Sequence, residues 1–306
     1  GMTYQRTVRT SLLWIMLSSA VLASCNSDAA EIAEVAFATD VLVDTEWIEA
    51  HAADPSLRVL EVGGNANAFG EGHLPGAAFV SMRSLSNPDD PIGGQIATAA
   101  QVSAALSIMG LGRDQTVVLY DRRNNLQAAR AYWVLKYYQH ADVRIYNGGT
   151  PKWTEDGQVM STVMVEYEPS DYQAGPPDPE IRTTWQYVVD HTDDPATLFC
   201  DTRGPEEYLG RDVRAERGGR IPGSINVEWT AAVNANGTFK SSEELAALYG
   251  EAGFTPDKQI ITYCQSGVRG AHTWFVLSEL LGYPSVRNYD GSWVEYGNNP
   301  ESPVEN

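Results

Sequence analysis

One cysteine stands where a reactive thiol would be built. In Tyr263-Cys264-Gln265-Ser266-Gly267-Val268-Arg269-Gly270 the run Gln259-Ile260-Ile261-Thr262-Tyr263 stops at Cys264, and a short glycine-bearing loop follows. A helical pattern is expected from about Ala271 to Leu281. A thiol between a strand end and a helix start faces unpaired backbone N–H groups and the positive end of the helix dipole. Such surroundings favour the thiolate, so Cys264 reads as a low-pKa nucleophile. The plain alternative is an inert buried cysteine, a type that sits inside elements and not on glycine-bearing turns.

The elements needed to hold that loop are legible in pairs. Val59–Val62, Val117–Tyr120, Leu198–Asp201 and Ile260–Tyr263 read as strands, and Thr98–Met109, Ala128–Tyr138 and Ser241–Gly250 as helices. Thr98 and Ser241 are caps, and Gly110 is a stop. Alternation of this kind implies α/β units on a largely parallel sheet. The chain also repeats itself. His73-Leu74-Pro75-Gly76-Ala77 is echoed by Arg220-Ile221-Pro222-Gly223-Ser224, and Thr116–Asp121 by Ile260–Cys264. Val143–Gly149 is echoed by Val286–Ser292, with partners 142 to 147 residues apart throughout. Two homologous halves follow, joined by a proline-rich polar stretch from Glu166 to Pro179 that reads as a semi-rigid linker.

Composition bounds the class. The 306 residues carry a formal charge of −19, and no basic run stands out, which argues against a nucleic-acid partner. Residues 1–24 hold Arg6, Arg9 and no acid, so the rest has 19 basic against 40 acidic residues. The apolar stretch from Leu12 to Leu22 is too short for a typical spanning helix. It ends in Leu22-Ala23-Ser24-Cys25, which resembles the lipobox of bacterial lipoproteins. That resemblance implies lipidation of Cys25, attachment to a membrane through the lipid, and, with Asn26 next, the periplasmic face of the outer membrane. An ordinary secretory leader and a soluble periplasmic protein is the alternative. Only Cys200 and Cys264 then remain in the folded part, too few for a disulfide framework, and Cys200 reads as core.

Phe69 with His73-Leu74-Pro75-Gly76-Ala77, the Cys264 loop, and Tyr289-Asp290-Gly291-Ser292-Trp293 together resemble the tandem rhodanese (sulfurtransferase) family over roughly 40–300. The resemblance implies an α/β fold with two rhodanese-like domains, each a small mainly parallel sheet flanked by helices. The expected organisation is a leader at 1–24, a tether at 25–40, a first domain at 41–165, a linker at 166–182 and a catalytic domain at 183–300. Asp121 occupies the place of Cys264 in the first half, which should therefore be catalytically silent.

The chemistry the resemblance implies is sulfane-sulfur transfer. Cys264 attacks a small anionic sulfur donor such as thiosulfate, becomes a persulfide, and passes the sulfur to cyanide or a thiol. The N–H groups of Gln265, Ser266, Gly267, Val268 and Arg269 would stabilise the charged sulfur. Gly267 lets the backbone curl inward. Arg269 pairs with sulfonate oxygens or makes an ordinary ion pair. Ser266 donates to the persulfide or caps the helix. Asp201 and Arg203 lie near the active loop in the family, with Arg203 a donor-binding candidate or a structural partner of Asp201. Glu206-Glu207 stand where many members carry a further arginine, and Arg211 or Arg214 is a possible substitute.

His272, eight residues past Cys264, reads as packing, as does His73; Trp274 and Trp293 are core or pocket wall. No Cys/His cluster has zinc spacing and no nucleotide loop is present, so neither metal nor organic cofactor is implied. Three rival readings stand beside thiosulfate transfer. Ser266-Gly267-Val268 resembles loops of 3-mercaptopyruvate enzymes. A non-enzymatic sulfur-carrying or binding module is the second. A cysteine phosphatase is the third, but those enzymes place five residues between cysteine and arginine, where four separate Cys264 from Arg269.

Overall fold

The computed structural model describes residues 35–306, which make one compact unit. The leader, Cys25 and most of the expected tether lie outside the described residues.

The two halves repeat one element order. The first runs β1 (Leu42–Val43), α1 (Thr45–His51), β2 (Leu57–Gly63), α2 (Ala66–Glu71), β3 (Ala78–Ser81), α3 (Ala99–Ile108), β4 (Thr116–Tyr120), α4 (Leu126–Tyr137), β5 (Val143–Tyr146) and α5 (Gly149–Glu155). The second runs β6 (Arg182–Thr183), α6 (Trp185–Asp190), β7 (Thr197–Asp201), α7 (Pro205–Tyr208), β8 (Ile225–Asn226), α8 (Ser242–Glu251), β9 (Gln259–Tyr263), α9 (Val268–Phe275), β10 (Val286–Tyr289) and α10 (Ser292–Tyr296). Each half holds a five-stranded sheet, ordered β1-β5-β4-β2-β3 and β6-β10-β9-β7-β8, and every pairing is parallel. Buried on both faces, the central strands are continuous apolar runs rather than alternating ones, as Val117–Tyr120 and Ile260–Tyr263 show.

Helix boundaries follow local chemistry. Thr98 and Ser241 each close a capping box, with Gln101 and Glu244 returning the bond. Helix α9 starts at Val268, three residues before the expected Ala271, because Gly267 takes φ +80° and turns the chain into the helix at once. Its last turns, Val276–Leu280, widen into a π-helical segment.

A single core crosses the boundary between halves. Helices α4 and α9 pack on each other. Tyr132 meets Phe275 edge-on at 4.8 Å and Trp274 at 6.3 Å, all three side chains buried. The stretch 166–182 is laid along the first half: Ser170 bonds Ser107 and Leu111, Tyr172 bonds His140, and Gly175 and Asp178 bond the end of α4. The strand order reverses between β7 and β9, and in open α/β sheets the crevice beyond the strand ends at such a point is where ligands bind. Asp201 ends β7 opposite Tyr263, and Cys264 follows Tyr263 at the end of β9 there.

Candidate active site

Cys264 is held by its own backbone. Its N–H donates to the Ser292 hydroxyl at 3.1 Å, and its carbonyl accepts from Trp293 at 2.9 Å. The Gln265 carbonyl accepts from Val294 at 2.9 Å. The Gly267 carbonyl accepts from Asn288 at 3.0 Å and from Arg130, of the other half, at 3.3 Å. These four bonds point the loop's carbonyls outward into the scaffold. The N–H groups therefore face the other way: among the described residues no acceptor receives those of Gln265 through Gly270. Six consecutive N–H groups without an acceptor, directly after Cys264 and at the mouth of a helix, are the makings of an anion cradle. Cys264 is 1% exposed and is a free thiol.

Gly267 is required twice over. Its φ of +80° disfavours any side chain, and a Cβ there would lie 2.8 Å from the Asp290 carboxylate and 2.9 Å from its carbonyl. Asp290 in turn is buried, paired with Arg130 at 2.7 Å, and accepts from the Ile96 N–H of the first half at 2.8 Å. The Tyr289–Trp293 motif that marks the family thus clamps the loop from behind. Its working residues, Asp290 and Ser292, were visible in the sequence as a motif but not as loop supports.

Above the cradle opens a cavity of about 620 Å³, lined by Gln265, Ser266 and Arg269, by Gly204–Glu207, Asp212 and Arg214, by Glu228 and Trp229, and by Arg123 and Leu126 of the first half. Arg269 does face this cavity, but it is already engaged: Glu207 takes it in a two-point pair at 2.7 and 3.0 Å. Burial opposes the charge on Arg269, yet the hydrogen bond to Glu207 and the nearby Cys264 sulfur hold its pKa above the usual arginine value. Burial works against the Glu207 carboxylate too; Arg269, the Gly204 N–H and Arg214 overcome it and bring its pKa below the ordinary range. The glutamate that seemed to break the family's anion site has become the partner of the loop arginine.

Of the two roles open to Arg203, donor binding or a structural pair with Asp201, the geometry displays the pair. Arg203 is 1% exposed and forks onto Asp201, with Nε at 2.9 Å and Nη2 at 2.6 Å. It also donates to the Gly219 carbonyl and lies over Trp293. Through Nε and Nη2 it braces the β7 end, and Asp201 holds both Arg203 and the Tyr263 hydroxyl. Arg211 pairs with Glu206 outside the cavity lining, while Arg214 lines it but is matched by Asp212 and Glu207. Ser266 does not cap α9; Gly267 holds the cap position without a side chain, so the hydroxyl remains on the cavity wall. Val268 lines a neighbouring cavity of about 470 Å³ between the halves.

His272 is buried, donating from Nε2 to the Asn124 carbonyl at 3.0 Å among Trp229 and Phe239. Burial pushes its pKa down to about 4, so it is a neutral packing residue and no relay partner for Cys264. His73 is fixed between the Phe69 and Val163 carbonyls. Trp274 and Trp293 are core, each tied to a backbone carbonyl; the cavity's tryptophan is Trp229. Cys200 is fully buried, and burial pushes its thiol pKa up, the state of an inert core cysteine. Among the described residues no cluster of three metal-ligating side chains exists, and no helix is long and apolar enough to cross a membrane.

The rhodanese-like domain model matches twice, at residues 44–156 and 184–299. The chain belongs to the rhodanese family. It is a sulfurtransferase of that superfamily, with two rhodanese-like domains in tandem. The sulfur carrier protein TtuD of Thermus thermophilus is 41% identical over 87% of this chain and 96% of its own length. A Mycolicibacterium smegmatis protein provisionally named a thiosulfate sulfurtransferase is 42% identical, over 87% of this chain and 98% of its own. Among solved structures, the Escherichia coli 3-mercaptopyruvate sulfotransferase SseA superposes with TM-score 0.76 at 28% identity, covering 83% of this chain and 99% of that one. The anaerobic ergothioneine biosynthesis enzyme of Chlorobium limicola gives 0.80 at 27%, over 87% of this chain and 70% of that chain. In rhodanese terms the second domain carries the cysteine loop, and the first carries Asp121 in its place.

Proposed function

We propose that this rhodanese moves sulfane sulfur from thiosulfate to cyanide or a thiol through a persulfide on Cys264. The observation that carries the reading is the run of six acceptorless N–H groups, Gln265 to Gly270, in the loop that directly follows Cys264. The Cys264 thiolate attacks the outer sulfur of thiosulfate. The S–S bond breaks, and sulfite leaves with its electron pair. The terminal sulfur of the new persulfide then bears the negative charge inside the cradle, where fixed dipoles meet it without reorganising. An acceptor nucleophile, cyanide for example, takes that sulfur as thiocyanate and returns the thiolate.

Mass spectrometry of reduced protein after thiosulfate treatment tests this. A gain of about 32 daltons on the Cys264 peptide is expected. Cys264→Ser should lose both the adduct and sulfite release, with turnover falling to background. An unmodified Cys264 in folded protein overturns the reading.

Two further readings have their own support. The Ser266-Gly267-Val268 loop and the likeness to the E. coli enzyme favour 3-mercaptopyruvate as donor, which a comparison of kcat/KM for the two donors decides. The name of the Thermus relative favours sulfur delivery to a carrier partner rather than to a small acceptor. In that case the adduct forms but is not discharged by cyanide. We also propose that Cys25 is lipidated and anchors the chain at the periplasmic face of the outer membrane. Palmitate labelling that survives Cys25→Ala refutes this.

A further inference from the structure

The three arginines of the main cavity differ in what they have left to offer. Arg269 is matched by Glu207, and Arg214 by Asp212 at 2.6 Å and Glu207 at 3.5 Å. Arg123, from the half without the cysteine, has no carboxylate within 4.0 Å among the described residues, and its guanidinium makes no hydrogen bond there. It is nonetheless aimed: its own N–H is fastened to the Asp121 carboxylate at 2.9 Å, and its guanidinium lies 5.9 Å from the ring of Trp229, which also lines the cavity.

We propose that Arg123 is the donor-recognition residue of the cavity, binding the anionic end of the sulfur donor across the domain boundary. The inference rests on the transfer reading above and assigns the silent half a direct part in it. Gln265, Ser266 and Arg269 of the loop that follows Cys264 line this cavity together with Arg123, so the anionic end of a donor engaged by Cys264 comes within its reach. The wall there is acidic: Glu206, Glu207, Asp212 and Glu228 outnumber the cations. Arg269 and Arg214 are neutralised in place, so an entering anion meets one unmatched positive charge. Glu228 is the counterweight. It has no ion-pair partner among the described residues, so it repels the same anion. The pair sets how strongly an anionic donor is preferred over a neutral or cationic molecule.

The test separates the two half-reactions in the full chain. Persulfide formation from thiosulfate is followed by sulfite release. Discharge is followed with dithiothreitol, a neutral thiol, on protein loaded at saturating thiosulfate. Arg123→Ala should raise the thiosulfate concentration for half-maximal loading about tenfold, the loss of one charge-assisted contact. Arg123→Lys should recover part of it, and Glu228→Gln should lower it. Discharge should be unchanged in all three. Unaltered loading in Arg123→Ala, or equal losses in loading and discharge, overturns the proposal. If wild-type protein forms no adduct with thiosulfate, loading from 3-mercaptopyruvate takes its place in the same comparison. Failure with both donors refutes the transfer reading itself, and this proposal with it.

Discussion

The loops at Asp121 and Cys264 are copies of one device put to opposite uses. Both follow the central strand of their sheet, and both lead into one of the two helices that pack together, α4 and α9. Both fix the first residue's carbonyl on the N–H two positions past a glycine: Thr150 for Asp121 and Trp293 for Cys264. In the first half the loop N–H groups close on the loop's own side chain. Asp121 accepts from Arg123 at 2.9 Å, Gln127 at 2.7 Å and Ala128 at 3.0 Å. In the second half the equivalent donors stay open. A carboxylate fills its own cradle; a single sulfur leaves room for another. The first loop is therefore the internal control for the second, because its main-chain N–H groups are turned onto an acceptor at the equivalent place. Ser292 supplies a hydroxyl to the Cys264 N–H, whereas its counterpart is Gly149.

The largest expected break comes from Gly267→Ala. A methyl there must displace Asp290 or tilt the loop, and kcat/KM for transfer should fall on the order of 100-fold. An unimpaired variant means the cradle does not position the sulfur. Ser292→Gly gives the second loop the residue of the first and frees one buried N–H. A loss of about 1 kcal/mol, roughly fivefold in loading rate, is expected from single-turnover kinetics. A gentler distinction concerns pH. Burial raises the Asp121 pKa to about 6 although three main-chain N–H groups favour its charge. The folded state then holds this proton more tightly than the unfolded chain, so its contribution lowers stability as pH rises from about 4 to 6. His272 acts in the opposite sense. Its pKa near 4 lies below the unfolded value, so its contribution is complete above about 6.5 and is lost as pH falls toward 4. Denaturant titrations should show Asp121→Asn steepening the rise of stability with pH, and His272→Gln flattening it. Each change should be on the order of 2 kcal/mol across the window. Parallel shifts in both variants would contradict the assignment of charge to the first loop and neutrality to His272.

The parallel α/β architecture, the duplication and the exceptional turn at Cys264 were legible because they are written in periodicity, repeats and a glycine at a strand-to-helix junction, whereas the strand order within each sheet was not. What sequence left open was which charge meets which. Arg203 and Arg269 are both arginines near the loop. One is paired with a carboxylate two residues away, the other with Glu207, 62 positions away. Arg123 looked like part of an inactive copy, and only the packing of α4 on α9 brings its loop to the cavity of the other half. The start of α9 was misplaced by three residues because apolar spacing begins at Ala271, whereas the left-handed Gly267 fixes the true boundary.

The buried pair Arg130–Asp290 carries one more consequence. Each side chain is sealed from water by the other's half, and Arg130 also reaches the Gly267 carbonyl. Prying the halves apart would bare two unlike charges and the aromatic seam beside them, so the enzyme has no cheap way to gape. For the same reason the half without the cysteine cannot be spared: discarding it would strand Asp290 without its partner and free the Gly267 carbonyl that Arg130 holds.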